Sequence, residues 1–391
     1  MPRTLGLFVL LLCVASFVRA DESLLLATGK GADRPQQPQV VVDGGGVAHV
    51  VYGVGNVVLY RRSEDGGKSF AEPVVIETGR VLALGMRRGP RVAVAGKNDG
   101  ITAICVAAIG GAQGKGRDGD LLTFRSVDAG KTWSPAVVVN DVAGSAREGL
   151  HALAAGPRGV FCAVWLDLRE KRTELYAATS VDAGKTWGPN TLVYRSPDGS
   201  ICQCCHPSVA IDDAGRIAVL WRNSLEGERD MYLAASTDGG RTFDAARKLG
   251  TGRWPLDACP MDGGALAFLP SANGTPGGAL TVWRRDKNVF AFAEEDRTER
   301  ELGPGEQPWL AVAGDRPIVA WVRKRGGSLR VAVGDRPDVE WAAKAFDPVV
   351  AAAPHTATAA APGAAAKPVA AAVVWEERTG DTTTIRYRFL E

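Results

Sequence analysis

The chain has 391 residues, with 46 Lys or Arg against 44 Asp or Glu and a formal net charge of +2. A nucleic-acid partner would leave a basic excess, so none is expected. The 47 Gly and 22 Pro, set among short Val- and Ala-rich runs, favour many short strands over long helices.

The first element is Arg3, an apolar run from Leu5 to Val18, and Val18-Arg19-Ala20 before Asp21. That order reads as a secretory signal peptide cleaved after Ala20. The run is 14 residues long, which is short for a membrane span, and no later stretch replaces it. The expected product is an exported monomer, periplasmic or extracellular, in which residues 21–391 form a single domain. Losing Arg3 and Arg19 brings the basic residues to 44, level with the 44 acidic ones.

From Pro38 onward a unit recurs: a short strand, a turn, then an apolar strand often ending in Trp. Copies start near Pro38, Pro90, His151, Pro207, Pro260, Pro308 and Pro354, at steps of 52, 61, 56, 53, 48 and 46 residues. Each step has the length of one four-stranded antiparallel blade, and a fixed period of this size implies a ring or an array. The last unit ends at Ile385 to Leu390 with three strands, and Ser23 to Ala27 could supply the fourth. Closing the ring with that N-terminal strand would remove the exposed edges. The Ala/Pro-rich stretch Ala351 to Ala372 reads as a loose connection.

A second signal lies inside the first four units. SEDGGKSF starts at Ser63, SVDAGKTW at both Ser126 and Ser180, and STDGGRTF at Ser236. Asp can accept backbone N–H bonds from the residues after it, Gly can take a positive φ, and the aromatic can pack the turn onto its blade. Unit five has Glu294-Glu295-Asp296 where a box would stand.

These four segments resemble the Asp boxes of the sialidase-like, BNR-repeat β-propellers. The resemblance implies an all-β propeller of four-stranded blades, seven by the repeat count here, with six (the sialidase number) as the alternative. In that family the boxes lie on the face away from the active site, so they mark fold and not chemistry. The loops on the other face then carry the candidates, and they are rich in arginine from several blades. A guanidinium suits bidentate capture of a carboxylate, and the family grips the sialic acid carboxylate with three arginines. Arg88, Arg147, Arg222 and Arg284 are the candidate anion clamps, with Asp167, Asp230 or Asp262 as the candidate acid. The competing reading pairs these arginines with Asp167, Glu148, Asp230 and Asp286 as structure. The family's Phe-Arg-Ile-Pro motif is absent, because the corresponding region reads Asp33-Arg34-Pro35-Gln36. Sialidases use a tyrosine nucleophile with a glutamate partner. Tyr387 alone is late enough to fit that order, and no Tyr–Glu pair matches by motif.

The same face should carry Cys202, Cys204, Cys205 and His206, with Cys259 and Met261 in the next connection. Export favours a disulfide between Cys259 and one of the three. Copper or zinc bound by the thiols and His206 is the alternative, and free thiols the third. Cys105 and Cys162 read as small buried residues. No other cofactor is expected. Three functions stay open: an exo-sialidase-like glycoside hydrolase acting on an acidic or hydroxylated glycan, a non-catalytic glycan- or protein-binding propeller, and a metalloprotein.

Overall fold

The computed structural model of the chain describes residues 23–98, 101–111, 118–272, 275–354 and 371–390. The signal-peptide reading and most of the Ala/Pro-rich stretch lie outside these residues. Apart from two single-turn 3₁₀ segments, Gly31–Asp33 and Pro157–Gly159, all regular structure described is β-strand. Among the described residues no helix is long and apolar enough to cross a membrane.

The strands fall into four-stranded antiparallel units. The first runs Gln36–Val42, Ala48–Val54, Val57–Ser63 and Val74–Glu77; the third runs Ala146–Ala155, Phe161–Asp167, Glu174–Ser180 and Thr191–Tyr194. Blades two, four and five repeat this order, starting at Arg91, Ser208 and Gly264. Val339–Ala352 is shared: its first half pairs outward in blade six and its second half opens blade seven. The inner strands touch in succession and the seventh touches the first, so seven blades close a ring.

Closure uses the N-terminus. Leu24–Lys30 pairs antiparallel with Thr382–Leu390, from Leu24 opposite Tyr387 to Lys30 opposite Thr382. This strand completes the seventh blade, and the free edge of Thr382–Leu390 is covered. The seventh inner strand enters the ring at Pro348, six residues before the Pro354 expected from the repeat.

The core lies between blades because each sheet is apolar on both faces. Trp165, Trp221, Trp321 and Trp375 are fully buried at equivalent places in the second strands of blades three, four, six and seven. Buried aromatics of this size dominate the area removed from water. Around the axis the inner strands leave a narrow channel of about 170 Å³ lined by Gln39, Arg91, Ser208 and Trp309.

Each Asp box is one hydrogen-bonded knot, built alike four times. At Asp182 the carboxylate accepts from Ser180 Oγ at 2.8 Å, Thr186 N at 2.9 Å and Thr186 Oγ1 at 2.6 Å. Ser180 Oγ in turn accepts from Gly184 N at 2.9 Å. Gly67, Gly130, Gly184 and Gly240 take φ between 81° and 84°, a region that costs any side chain but not glycine. Hydrogen bonds from Thr132 hold the Asp128 carboxyl at about 2, below its ordinary 3.8. Blade five lacks the knot; Glu294 ties instead to Arg247 and, at 3.8 Å, to Arg216 of blade four.

Candidate functional site

The two faces separate as the box geometry requires. In blade three the box Ala183 N donates to Gly159 O at 3.1 Å, which puts the box beside the turn between the first two strands. The opposite loops bond to one another. Leu168 N donates to Ser145 O at 2.9 Å, Cys202 N to Arg222 O at 3.2 Å and Asn223 N to Asp230 O at 2.8 Å.

The structure places the predicted arginines on this face, and it has already used most of them. Arg222 is buried and donates to three carbonyls: Asp262 O at 3.0 Å, Arg229 O at 2.6 Å and Arg284 O at 2.8 Å. Its guanidinium also lies 4.9 Å from the Trp254 ring. Arg222 therefore braces two loops and the second strand of blade five, and its donors are spent on those carbonyls. Arg88 is buried and bonds Glu148 at 2.7 Å, with Nε and Nη1 left without a partner among the described residues. Arg147 donates to Gln203 O at 2.9 Å, and Arg284 bonds Glu306 at 2.7 Å and Asp286 O at 2.6 Å. Both keep about a fifth of the side chain exposed, at 20% and 23%.

Two of the three candidate acids are likewise committed. Asp167 is fully buried and accepts from Ser145 Oγ and Trp165 Nε1, each at 2.7 Å, and from Arg169 Nε at 2.9 Å. Asp230 meets Lys248 at 2.6 Å and accepts from Trp254 N at 3.0 Å. Asp167 is thereby saturated and holds its loop, with little capacity left for a substrate, while Asp230 is paired with a lysine. Asp262 differs. It is fully buried, one oxygen accepts from Gln307 N at 2.7 Å, and Oδ1 has no partner among the described residues. Burial pushes its pKa above the ordinary value, against the pull of Gln307 N–H and the charges of Arg222, Arg87 and Arg284.

Around the axis the structure adds residues that sequence reasoning missed. Gln37, Gln307 and Asp347 precede Pro38, Pro308 and Pro348, and all three hold left-handed backbone with φ of 57°, 57° and 49°. The strand register slips at each of these points, between Gln36 and Gln39, Glu306 and Trp309, and Phe346 and Val349. A bulge there turns a polar side chain into the ring. Gln37 Nε2 reaches Asp347 at 2.8 Å and Glu376 at 3.2 Å, and Gln307 Nε2 meets Asp347 from the other side at 2.5 Å. Arg87 completes the knot, donating to Pro348 O at 2.9 Å and Gln307 O at 2.6 Å. The signal for this cluster was the recurring polar residue before proline at the start of an inner strand.

The cysteine loop also lies on this face. The Cys202, Cys204 and Cys205 Sγ atoms lie within 4.8 Å of one another, all buried. The six described cysteines are all free thiols, and no disulfide between Cys259 and the trio is seen among them. The Cys202–Cys204 and Cys202–Cys205 sulfurs stand 3.8 and 3.6 Å apart, well beyond the disulfide length of about 2.05 Å. Hydrogen bonds from the Cys204 and Cys205 thiols pull the Cys202 pKa down. Cys259 is exposed at the rim of a cavity of about 370 Å³ that Cys202, Cys204 and Arg229 also line. His206 is not part of this group. It is buried and stacks on Trp309 at 5.6 Å, with no well-formed hydrogen bond at either ring nitrogen among the described residues.

Residues 53–282 match the model of the BNR repeat-like domain, more than half of the chain. The chain belongs to the BNR repeat-like family. No curated protein matches it. Among solved structures it is similar to the α-L-arabinofuranosidase of Fusarium graminearum, with a TM-score of 0.53 at 11% identity over 94% of this chain and 97% of that one. It is also similar to the intramolecular trans-sialidase of Ruminococcus gnavus, with a TM-score of 0.51 at 9% identity over 92% and 96%. A protein of unknown function from Dyadobacter fermentans gives a TM-score of 0.51 at 15% identity over 94% and 99%. At these identities the likeness is one of fold.

In this BNR-repeat propeller the tyrosine that family order singles out is on the wrong side. Tyr387 is buried on the box face, 4.9 Å from Phe70, and a Cβ on Gly67 would fall 2.2 Å from its ring. Tyr60 takes the same place under Gly130. Both tyrosines are seats for a neighbouring box, and burial pushes both phenols up.

Proposed function

We propose that this BNR-repeat protein is an exported carbohydrate-active propeller, a glycoside hydrolase acting on an acidic or hydroxyl-rich glycan at the loop face opposite its Asp boxes. The observation that carries this is Asp262: a buried carboxyl with an unpartnered oxygen and a raised pKa, facing Arg222, Arg87 and Arg284. A carboxyl whose pKa burial raises above the ordinary value suits proton donation to a leaving oxygen. The left-handed, bulged junctions at Gln37, Gln307 and Asp347 support it, since backbone strain of about 1–3 kcal/mol each tends to collect at functional sites. Arg147 and Arg284, the partly exposed guanidiniums, are the ones positioned to meet an anionic sugar. The solved relatives in fold include enzymes named for arabinofuranoside and sialoside chemistry.

The test is a panel of fluorogenic glycosides that includes a sialoside and an α-L-arabinofuranoside. Hydrolysis of at least one is expected. Asp262→Asn should lower kcat about 100-fold or more at an unchanged melting temperature. The rate should also fall as pH rises through the folded-state value of Asp262, which lies above 3.8. Full burial of Asp262 favours the second reading, a propeller that binds glycan without cleaving it. A flat response across the panel would leave that reading alone standing.

A further inference from the structure

The thiol cluster is independent of the axial carboxyls, and its spacing is specific. We propose that Cys202, Cys204 and Cys205 form a binding site for a soft closed-shell metal ion, monovalent copper or zinc, with Cys259 or Met261 as the remaining donor. Metal–thiolate bonds of about 2.3 Å at tetrahedral angles hold sulfurs about 3.8 Å apart, and a trigonal arrangement holds them slightly farther. The observed separations of 3.8 and 3.6 Å fall at that spacing. The loop brings three sulfurs from four successive residues within 4.8 Å of one another. It is pinned by two backbone bonds: Ile201 N donates to Thr173 O at 3.1 Å, and Cys202 N to Arg222 O at 3.2 Å.

The surroundings suit thiolates. The backbone flanking the trio carries the cations Arg147, on Gln203 O at 2.9 Å, and Arg222, while Arg229 lines the adjoining cavity. Their positive charge would offset the excess negative charge of three thiolates around one ion. Partly buried Met261 packs against the trio, and exposed Cys259 borders the cavity that Cys202 and Cys204 also line, which gives an entry path and a fourth sulfur. An all-sulfur donor set selects copper(I) or zinc over harder ions, since no carboxylate or imidazole joins the cluster. His206, drawn into the sequence reading of this site, faces the axis instead.

The experiment uses the purified full chain, reduced and kept free of oxygen, with copper(I) or zinc(II) added as separate probes against a competing chelator. One ion per chain is expected, with the Cys202, Cys204 and Cys205 thiols protected from alkylation and metal–sulfur distances of about 2.2–2.3 Å by X-ray absorption. Cys204→Ser should weaken the preferred ion about 100-fold or more. Because a core substitution can disturb the loop, Cys259→Ser is the companion variant: its thiol is exposed, so the fold is retained. If Cys259 is the fourth ligand, this variant weakens zinc more than three-coordinate copper. Equal retention of both ions assigns the fourth position to Met261. The proposal is overturned if the reduced protein binds neither ion at micromolar concentration. It is equally overturned if protein isolated without reductant carries Cys202–Cys205 or Cys204–Cys259 disulfides that reform in preference to metal binding.

Discussion

Arg222 shows how a residue suited to one role can be used in another. Its planar fork could hold a carboxylate, but three backbone carbonyls at 2.6–3.0 Å reach its nitrogens first. Arg222→Ala would strand those acceptors and open a space over Trp254, so a loss of about 3 kcal/mol or more in chemical denaturation is expected. A variant with wild-type stability would return Arg222 to the list of ligand clamps. His151 makes a second prediction at this scale. It is fully buried between Gly149 O and Ala107 O, and burial holds its pKa at about 3 against the ordinary 6.5. A depressed folded value means that the unfolded chain binds the extra proton. The contribution of His151 is thus complete above pH 6.5 and shrinks as pH falls toward 3. The Asp128 knot follows lower, fading from pH 3.8 toward 2. Melting temperatures across pH 8 to 3 should decline first over the histidine range, and His151→Gln should flatten that upper part of the curve.

At the scale of the element, the Asp box is a turn that also works as a wedge. Its serine, aspartate and threonine close a local hydrogen-bonded knot, and its glycine lets that knot lie flush on the preceding blade. Gly130 is the sharpest case: φ is 81°, and a Cβ would fall 2.0 Å from the Tyr60 ring. Gly130→Ala therefore combines left-handed strain with a steric clash, and a loss of about 2 kcal/mol or more is expected. Gly184→Ala faces its nearest neighbour at 3.6 Å and should cost only the strain, about 1–2 kcal/mol. Equal losses at the two sites would show that the wedge does not matter. Blades five to seven do without boxes; in blade five Glu294 makes the inter-blade tie as an ion pair to Arg247 and Arg216.

For the whole molecule, stability depends on closing the ring. Leu24–Lys30 is the outer strand of the last blade, although it comes first in the chain. Deleting it would remove Leu26, expose the long edge of Thr382–Leu390 and uncover Ile385 and Tyr387 of the same core cluster. Such a variant should melt at least several degrees lower and self-associate on size-exclusion chromatography. An unchanged monomer would mean that the closure contributes little.

The sequence by itself determined the blade period and the box turns, because both depend on interactions within a few residues or on alternation along one strand; the closing strand followed from the last unit being one strand short. Four copies of Ser-x-Asp-x-Gly specify those turns, and with them the sorting of the loops onto two faces. Only the tertiary structure decided which side chains on the loop face are still free. Arg222, Asp167 and Asp230 are consumed by partners from loops far away in sequence or from the backbone around them, and composition cannot reveal that. Asp262 stands apart for the same reason: that one of its oxygens has no partner among the described residues depends on contacts from other blades. The three thiols were visible as a motif, but their common focus was not, because it depends on a loop pinned to Thr173 and Arg222 across two blades.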